Sequence, residues 1–213
     1  MPNQFDFIAI EGVIGAGKTS LAKLIAERQN ARLVLEEFED NPFLPKFYED
    51  RERYAFPTQL AFLASRFKQQ QRMMSQDLFH ELTISDYIFE KDRIFARLNL
   101  DTDEIALYDN IFNIMASIAA KPDLIVFIQS TVDRLLENIN RRGREYERNI
   151  SPDYLTELNN AYNHFFYHYN KTPLLIINAT EIDFVNNPGH LDYIEEQIFE
   201  APVRSLTHLH IVP

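Results

Sequence analysis

The sequence predicts an α/β protein with a doubly wound, five-stranded parallel sheet and helices on both faces. Three observations carry this. Five short apolar runs recur along the chain, each separated from the next by a helical pattern. The first run, Phe5 to Ile10, leads into Gly12-Val13-Ile14-Gly15-Ala16-Gly17-Lys18-Thr19, and Ser20 to Ala26 then follows helical spacing. Strand, G-x-x-x-x-G-K-[ST] loop and helix, in that order, are the P-loop NTPase-type arrangement. Finally, 213 residues with 46% hydrophobic and 25% charged content suit a single domain, 1–213, with an ample core.

Strand one feeds the glycine-rich loop. Such a loop turns its backbone N–H groups inward around phosphate, which needs dihedrals that side chains disfavour. Three of the five glycines in the chain, Gly12, Gly15 and Gly17, fall here. The helix that follows adds unsatisfied N–H donors and a positive dipole end. Lys18 is placed for the β- and γ-phosphates, Thr19 for Mg²⁺, and the loop from Gly12 through Ser20 for a nucleoside triphosphate.

Strand two, Arg32 to Leu35, ends in Glu36-Glu37, and Pro42, Pro45 and Pro57 punctuate the segment after it. Ligands gather at the carboxyl ends of strands in such sheets, so acidic residues there are candidates for a base and a Mg²⁺ partner. A helix is expected from about Tyr54 to Met74. On it Gln59, Phe62, Leu63 and Arg66 share one face. Polar groups on an apolar stripe need partners: either a cleft with a polar planar ligand, or a core glutamine and a snorkelling arginine. Strand three, Leu82 to Ser85, ends at Asp86, which either assists Mg²⁺ or caps the next helix. Strand four runs from Leu124 to Ile128, and its helix leads into Arg141-Arg142-Gly143-Arg144, with Arg148 close behind. This reads as a short arginine-rich lid, or as an exposed charged turn. Strand five runs from Leu174 to Ile177. The tail with His208 and His210 reads as an edge strand or an unstructured end, without a function.

Composition narrows the class. A net charge of −11 argues against extended binding to nucleic acid or anionic membrane. The chain has no cysteine, so cysteine nucleophiles, thiolate metal sites and disulfides are excluded. No apolar run approaches the roughly 20 residues of a membrane span. The chain opens almost directly on a core strand, so no signal peptide is expected and the cytoplasm is the expected location. A GTPase would need an Asn-Lys-x-Asp motif, and the segment after strand five reads Asn178-Ala179-Thr180-Glu181. A coupling ATPase would end strand four on an acidic pair, which here reads Gln129-Ser130. A small-molecule kinase remains.

Several segments in order and spacing resemble the deoxynucleoside kinases, most of all the bacterial deoxyguanosine and deoxyadenosine kinases. They are Glu11 through Ser20, Glu36 through Tyr48, Phe56 through Lys68, Asp86 through Ala96, and Arg142-Gly143-Arg144 with Glu147. The resemblance implies an ATP- and Mg²⁺-dependent 5′-kinase of deoxynucleosides, commonly a homodimer. It implies Glu36 as general base, Tyr48 and Glu147 at the sugar 3′-hydroxyl, and Gln59 at the base edge with Arg66 and Asp92. Phe95 stacks on the base, Arg142 and Arg144 sit on the phosphates, and Asp183-Phe184 lies near the adenine of ATP. Thr19 and Asp86 are the expected metal ligands. The Arg66–Asp92 pair favours purine deoxynucleosides, then deoxycytidine, over thymidine. The alternatives are a weakly catalytic nucleotide-binding protein and a nucleoside monophosphate kinase. One departure stands out: the family often has arginine after the acidic residue at the end of strand three, and here Tyr87 follows Asp86. Arg93 or a lid arginine is expected to take over. Apolar residues Leu107, Ile111, Ile114 and Met115 on the helix expected over 102–119 form the candidate dimer face.

Overall fold

The computed structural model describes residues 4–38, 40–73 and 79–200, and the backbone of 206–210. All five expected strands are present: β1 (Phe7–Gly12), β2 (Arg32–Val34), β3 (Thr83–Ser85), β4 (Leu124–Gln129) and β5 (Leu174–Asn178). A sixth, β6 (Leu206–His210), adds parallel to β5 at the edge, within the tail given no function above. The order is β2-β3-β1-β4-β5-β6, with every pair parallel.

Among the described residues eight α-helices connect the strands: α1 (Lys18–Arg28), α2 (Leu44–Glu49), α3 (Arg51–Met73), α4 (Asp92–Asn99), α5 (Thr102–Ala116), α6 (Val132–Arg142), α7 (Pro152–Tyr167) and α8 (Pro188–Phe199). Strands β1 and β4 are apolar on both faces and almost wholly buried, as the central strands of a sheet covered on both sides must be. Helix α7 packs on the sheet through Phe166, whose ring stacks on Phe127 at 4.3 Å. Its burial next to Tyr162 makes this face aromatic up to the site. A smaller apolar cluster of Leu63, Phe89, Ala96, Tyr108 and Phe112 joins α3, α4 and α5.

Two helix details differ from expectation. Helix α3 starts at Arg51, three residues before the expected start, so Pro57 lies one turn deeper inside it. As the seventh residue of α3, Pro57 lacks the N–H that would bond the Arg53 carbonyl, so the helix runs through it with one backbone bond missing. Helix α5 stops at Ala116 and begins on an Asp101–Glu104 capping box, which satisfies its first N–H groups. Met74 lies outside the described residues. Among the described residues no helix is long and apolar enough to cross a membrane.

Register brings the site together. β1 pairs with β3 so that Ala9 lies beside Ser85, and β2 pairs with β3 so that Val34 lies beside Ser85. The phosphate loop, Glu36 and Asp86 therefore leave the sheet side by side at its carboxyl edge.

Candidate active site

The phosphate loop has the backbone its glycines imply. Gly15 and Gly17 take φ of 86° and 93°, in the left-handed region. Space is closed as well: a Cβ on Gly15 would lie 2.6 Å from the Leu135 carbonyl oxygen, and one on Gly17 2.8 Å from Phe184 Cζ. Lys18 folds back so that its Nζ donates to the Val13 carbonyl at 3.1 Å. Burial lowers the Lys18 pKa to about 8, and the like charge of Lys91 adds to the fall. The loop lines a cavity of about 510 Å³, walled opposite by Asp183 and Phe184 and at one side by Arg142 and Arg144. Every residue expected around the triphosphate from Gly15 through Ser20 lines this cavity, as do the two residues expected near adenine. Gly12, Val13 and Ile14 form the base of the loop, and Ile14 faces the neighbouring cavity.

That second cavity, about 100 Å³, is lined by Glu36, Tyr48, Gln59, Arg66, Asp86 and Phe95, with Glu147 at its lid side. Lys18, Thr19, Arg142 and Arg144 line both cavities. Glu36 lies between two cations. Its Oε1 accepts from Arg66 Nη2 at 2.5 Å and Nε at 2.8 Å, and its Oε2 accepts from Lys91 Nζ at 2.6 Å. Burial alone would raise the Glu36 carboxyl; Lys91, then Arg66, outweigh it and hold the pKa down at about 2. Glu37 instead reaches outward to Arg72 at 2.7 Å.

Gln59, Phe62 and Arg66 of the shared α3 stripe line the second cavity. Arg66 is 3% exposed and does not snorkel: besides Glu36 it pairs with Asp92, and its guanidinium lies 4.8 Å over the Phe62 ring. Asp92 is fully buried and also accepts from the Tyr108 hydroxyl at 2.6 Å. Gln59 is 2% exposed, and its Oε1 has no hydrogen-bond partner. A buried amide oxygen without a partner, facing a cavity, is a ready acceptor for a ligand. Phe95 meets Tyr162 edge-on at 5.9 Å, and Tyr48 stacks on Tyr146 at 6.3 Å.

The arginine cluster is a structured lid, not a free turn. Gly143 ends α6 at φ 69° and lets the chain reverse. Arg142 then makes a two-pronged bond to Glu147, with contacts down to 2.6 Å, and Arg144 lies 4.1 Å over the Phe38 ring. Glu147 is 5% exposed and ties the lid to the second cavity.

Asp86 does not cap a helix. Its Oδ2 accepts from the Thr19 hydroxyl at 2.6 Å, and its Oδ1 from the Glu36 backbone N–H at 2.7 Å. A hydroxyl and a carboxylate together at the phosphate loop are hard oxygen donors that fit Mg²⁺. Among the described residues no group of three or more His, Asp or Glu could hold a metal alone. A cation here would complete its sphere with phosphate and water, as Mg²⁺ does.

Of the cations expected to stand in for an arginine at position 87, Arg142 and Arg144 line both cavities and Arg93 lines neither. Arg93 turns away to Asp109 at 2.9 Å and lies 5.0 Å over Phe112. Tyr87 is fully buried, and its hydroxyl accepts from Gln70 at 3.4 Å. The second cation at Glu36, beside Arg66, is Lys91, which carries no local mark in the sequence. Glu11 was also missed as a structural anchor: its two oxygens accept from the Gly12 and Ile88 N–H groups at 3.0 and 2.8 Å. The only available signal was that both fall inside the segments that resemble the family.

A glycine-rich phosphate loop, a second cavity sharing its lysine and lid, and a buried carboxylate beside the seam define a P-loop phosphotransferase with a small-molecule acceptor. Residues 8–203 match the family model described as deoxynucleoside kinase. The chain is 32% identical over 206 residues to a deoxyguanosine kinase of Bacillus subtilis, covering 94% of this chain and all of that one. It is 36% identical over 180 residues to a deoxyadenosine kinase of Dictyostelium discoideum, covering 82% and 72%. The fold is similar to that of deoxyadenosine kinase from M. mycoides with bound dCTP, at a TM-score of 0.79, 24% identity, and coverage of 90% and 98%. The chain belongs to the deoxynucleoside kinase family.

Proposed function

We propose that this protein transfers the γ-phosphoryl group of ATP to the 5′-hydroxyl of a deoxynucleoside, with deoxyguanosine or deoxyadenosine favoured and deoxycytidine accepted. The observation that carries this is the pair of cavities joined at Lys18, Thr19, Arg142 and Arg144, with Glu36 on the acceptor side. Phosphoryl transfer needs donor and acceptor in line with positive charge around the moving group, and Lys18, Arg142 and Arg144 at the shared seam support that reading. Glu36 is held ionised, so it receives the hydroxyl proton as the bond to phosphorus forms. The transition state is loose, which makes orientation matter more than basicity. Bound Mg²⁺, with Thr19 and Asp86 as its protein ligands, supplies charge neutralisation at the phosphates. Gln59 and Arg66 offer an acceptor and donors for a purine edge, with buried Asp92 backing Arg66, Phe95 as the stacking ring, and Tyr48 and Glu147 at the 3′-hydroxyl. A thymine methyl would crowd the Arg66–Asp92 pair. The relatives named as deoxyguanosine kinase and deoxyadenosine/deoxycytidine kinase support the same order.

The test is ADP release with ATP, Mg²⁺ and each of the four deoxynucleosides. Turnover with purine deoxynucleosides, and least with thymidine, is the expected result. No release with any of the four would refute the assignment.

We also propose that the chain acts in the cytoplasm as one domain over residues 1–213, paired as a homodimer through α3 and α5. Ile114 and Leu107 on α5 are 74% and 51% exposed, and Ile118 just beyond is 50% exposed. Ile111 and Met115 are half-covered by the smaller apolar cluster. Large side chains grouped on one helix face are costly to leave in water. Ile114→Glu should convert the dimer to a 25.1 kDa monomer in light scattering. An unchanged mass would rule out α5 as the interface.

A further inference from the structure

We propose that Lys91 is a positioning residue that holds Glu36 in register with the acceptor hydroxyl, an inference that rests on the kinase reading above. Lys91 is 3% exposed although it carries a full ammonium group, and it lines the acceptor cavity. Its ammonium donates to Glu36 Oε2 at 2.6 Å, and its charge also acts on the buried Glu11 carboxylate. The direct hydrogen bond to Glu36 is the contact that offsets the cost of burying the ammonium.

The two cations at Glu36 are not equivalent. Arg66 also pairs with Asp92 and lies over Phe62, so it belongs equally to the pocket for the base. Its contact with Glu36 Oε1 changes as a ligand takes its place among those groups. The Lys91 side chain hydrogen-bonds Glu36, and its other charged neighbours, Glu11 and Lys18, belong to the phosphate loop and not to the pocket for the base. It keeps Oε2 fixed while Oε1 turns to the acceptor hydroxyl. The proton of that hydroxyl passes to Oε1, and the hydroxyl oxygen bonds to the γ-phosphorus as the bond to ADP breaks.

Lys91 is itself held from below. It ends the 3₁₀ turn Phe89–Lys91, whose preceding residue, Ile88, donates its N–H to Glu11 Oε1 at 2.8 Å. Glu11 binds Gly12 N–H through its other oxygen at 3.0 Å. One buried carboxylate thus ties the turn that bears Lys91 to the base of the phosphate loop. Tyr87, neutral and bonded to Gln70, supplies no charge here.

The test is steady-state kinetics and calorimetric binding of Lys91→Met and Lys91→Arg with ATP, Mg²⁺ and the best deoxynucleoside. Lys91→Met should lower kcat by roughly 100-fold or more, the scale of a misplaced general base, while KM for ATP and Kd for the nucleoside stay within about threefold. Lys91→Arg, which keeps the charge, should recover kcat to within about tenfold of wild type. A fully active Lys91→Met, a loss of nucleoside binding equal to the loss of kcat, or an Arg variant no better than the Met variant would each overturn the inference. Should Lys91→Met fail to fold, Lys91→Gln carries the same readings with a donor retained and the charge removed. Wild-type protein inactive on all four deoxynucleosides would remove the kinase reading and this inference with it. An active wild type with an active Lys91→Met removes this inference alone.

Discussion

Glu36→Gln should lower kcat by roughly 10²–10⁴-fold, the usual contribution of a positioned general base. The substitution keeps side-chain length and one oxygen, so the acceptor cavity keeps its shape. What disappears is the negative charge between Lys91 and Arg66. Two buried cations then face each other across a neutral amide, which should destabilise the fold by about 3 kcal/mol or more. For a chain of this size that is a fall in Tm of roughly 6–12 °C. Activity measured well below the variant's Tm separates the chemical loss from the structural one. KM for ATP should stay near wild type, since Glu36 faces the acceptor cavity. A variant with full turnover would remove Glu36 from the mechanism.

Lys18→Met should lower turnover steeply while making the nucleotide-free protein more stable. The loss of activity is on the order of 10²–10³-fold, as when one preorganised cationic or hydrogen-bonding group is removed from a transition state. The gain in stability follows from burial. Desolvation first, and Lys91 second, lower the Lys18 pKa to about 8, so its charged form is disfavoured in the fold. Part of the side chain still opens on the cavity. That leaves a gain of about 1–2 kcal/mol at pH 7, less than the full linkage value. The sign fixes the pH window. Below pH 8 the lysine is charged in both folded and unfolded chains, and the whole penalty applies. Between about 8 and 10.5 the folded chain releases the proton while the unfolded chain keeps it, so wild-type stability rises and the gap to Lys18→Met closes. Thermal unfolding of both proteins from pH 6.5 to pH 10 measures this. A less stable Lys18→Met at pH 7 would contradict it.

Much of the site could be read from the chain because its parts are local. The phosphate loop is eight consecutive residues whose glycines do one job. The α3 stripe of Gln59, Phe62 and Arg66 follows from helical spacing alone. The ends of β2 and β3 marked Glu36 and Asp86 because carboxyl ends of parallel strands converge. Each of these depends on neighbours within a few positions. Lys91 had no such mark. In Phe89-Glu90-Lys91-Asp92 it looks like one charge in a solvated turn, and only the anchoring of Ile88 to Glu11, 77 positions apart, turns it inward. Arg93, two residues on, looked the better candidate for the missing cation. The helical turn sends it to Asp109 instead.

By itself the amino-acid sequence determined the sheet, the loop that binds phosphate, and which residue types were available to a second substrate. Periodicity, turn chemistry and side-chain type are properties of short segments and survive without a fold. The partner of each charge was decided only in the tertiary structure. That Arg66 joins Glu36 to Asp92, that Glu147 holds Arg142, and that Lys91 rather than Arg93 neutralises Glu36 all depend on strand register and helix docking. A buried charge takes the partner that geometry puts within about 3 Å, and no local pattern encodes that distance.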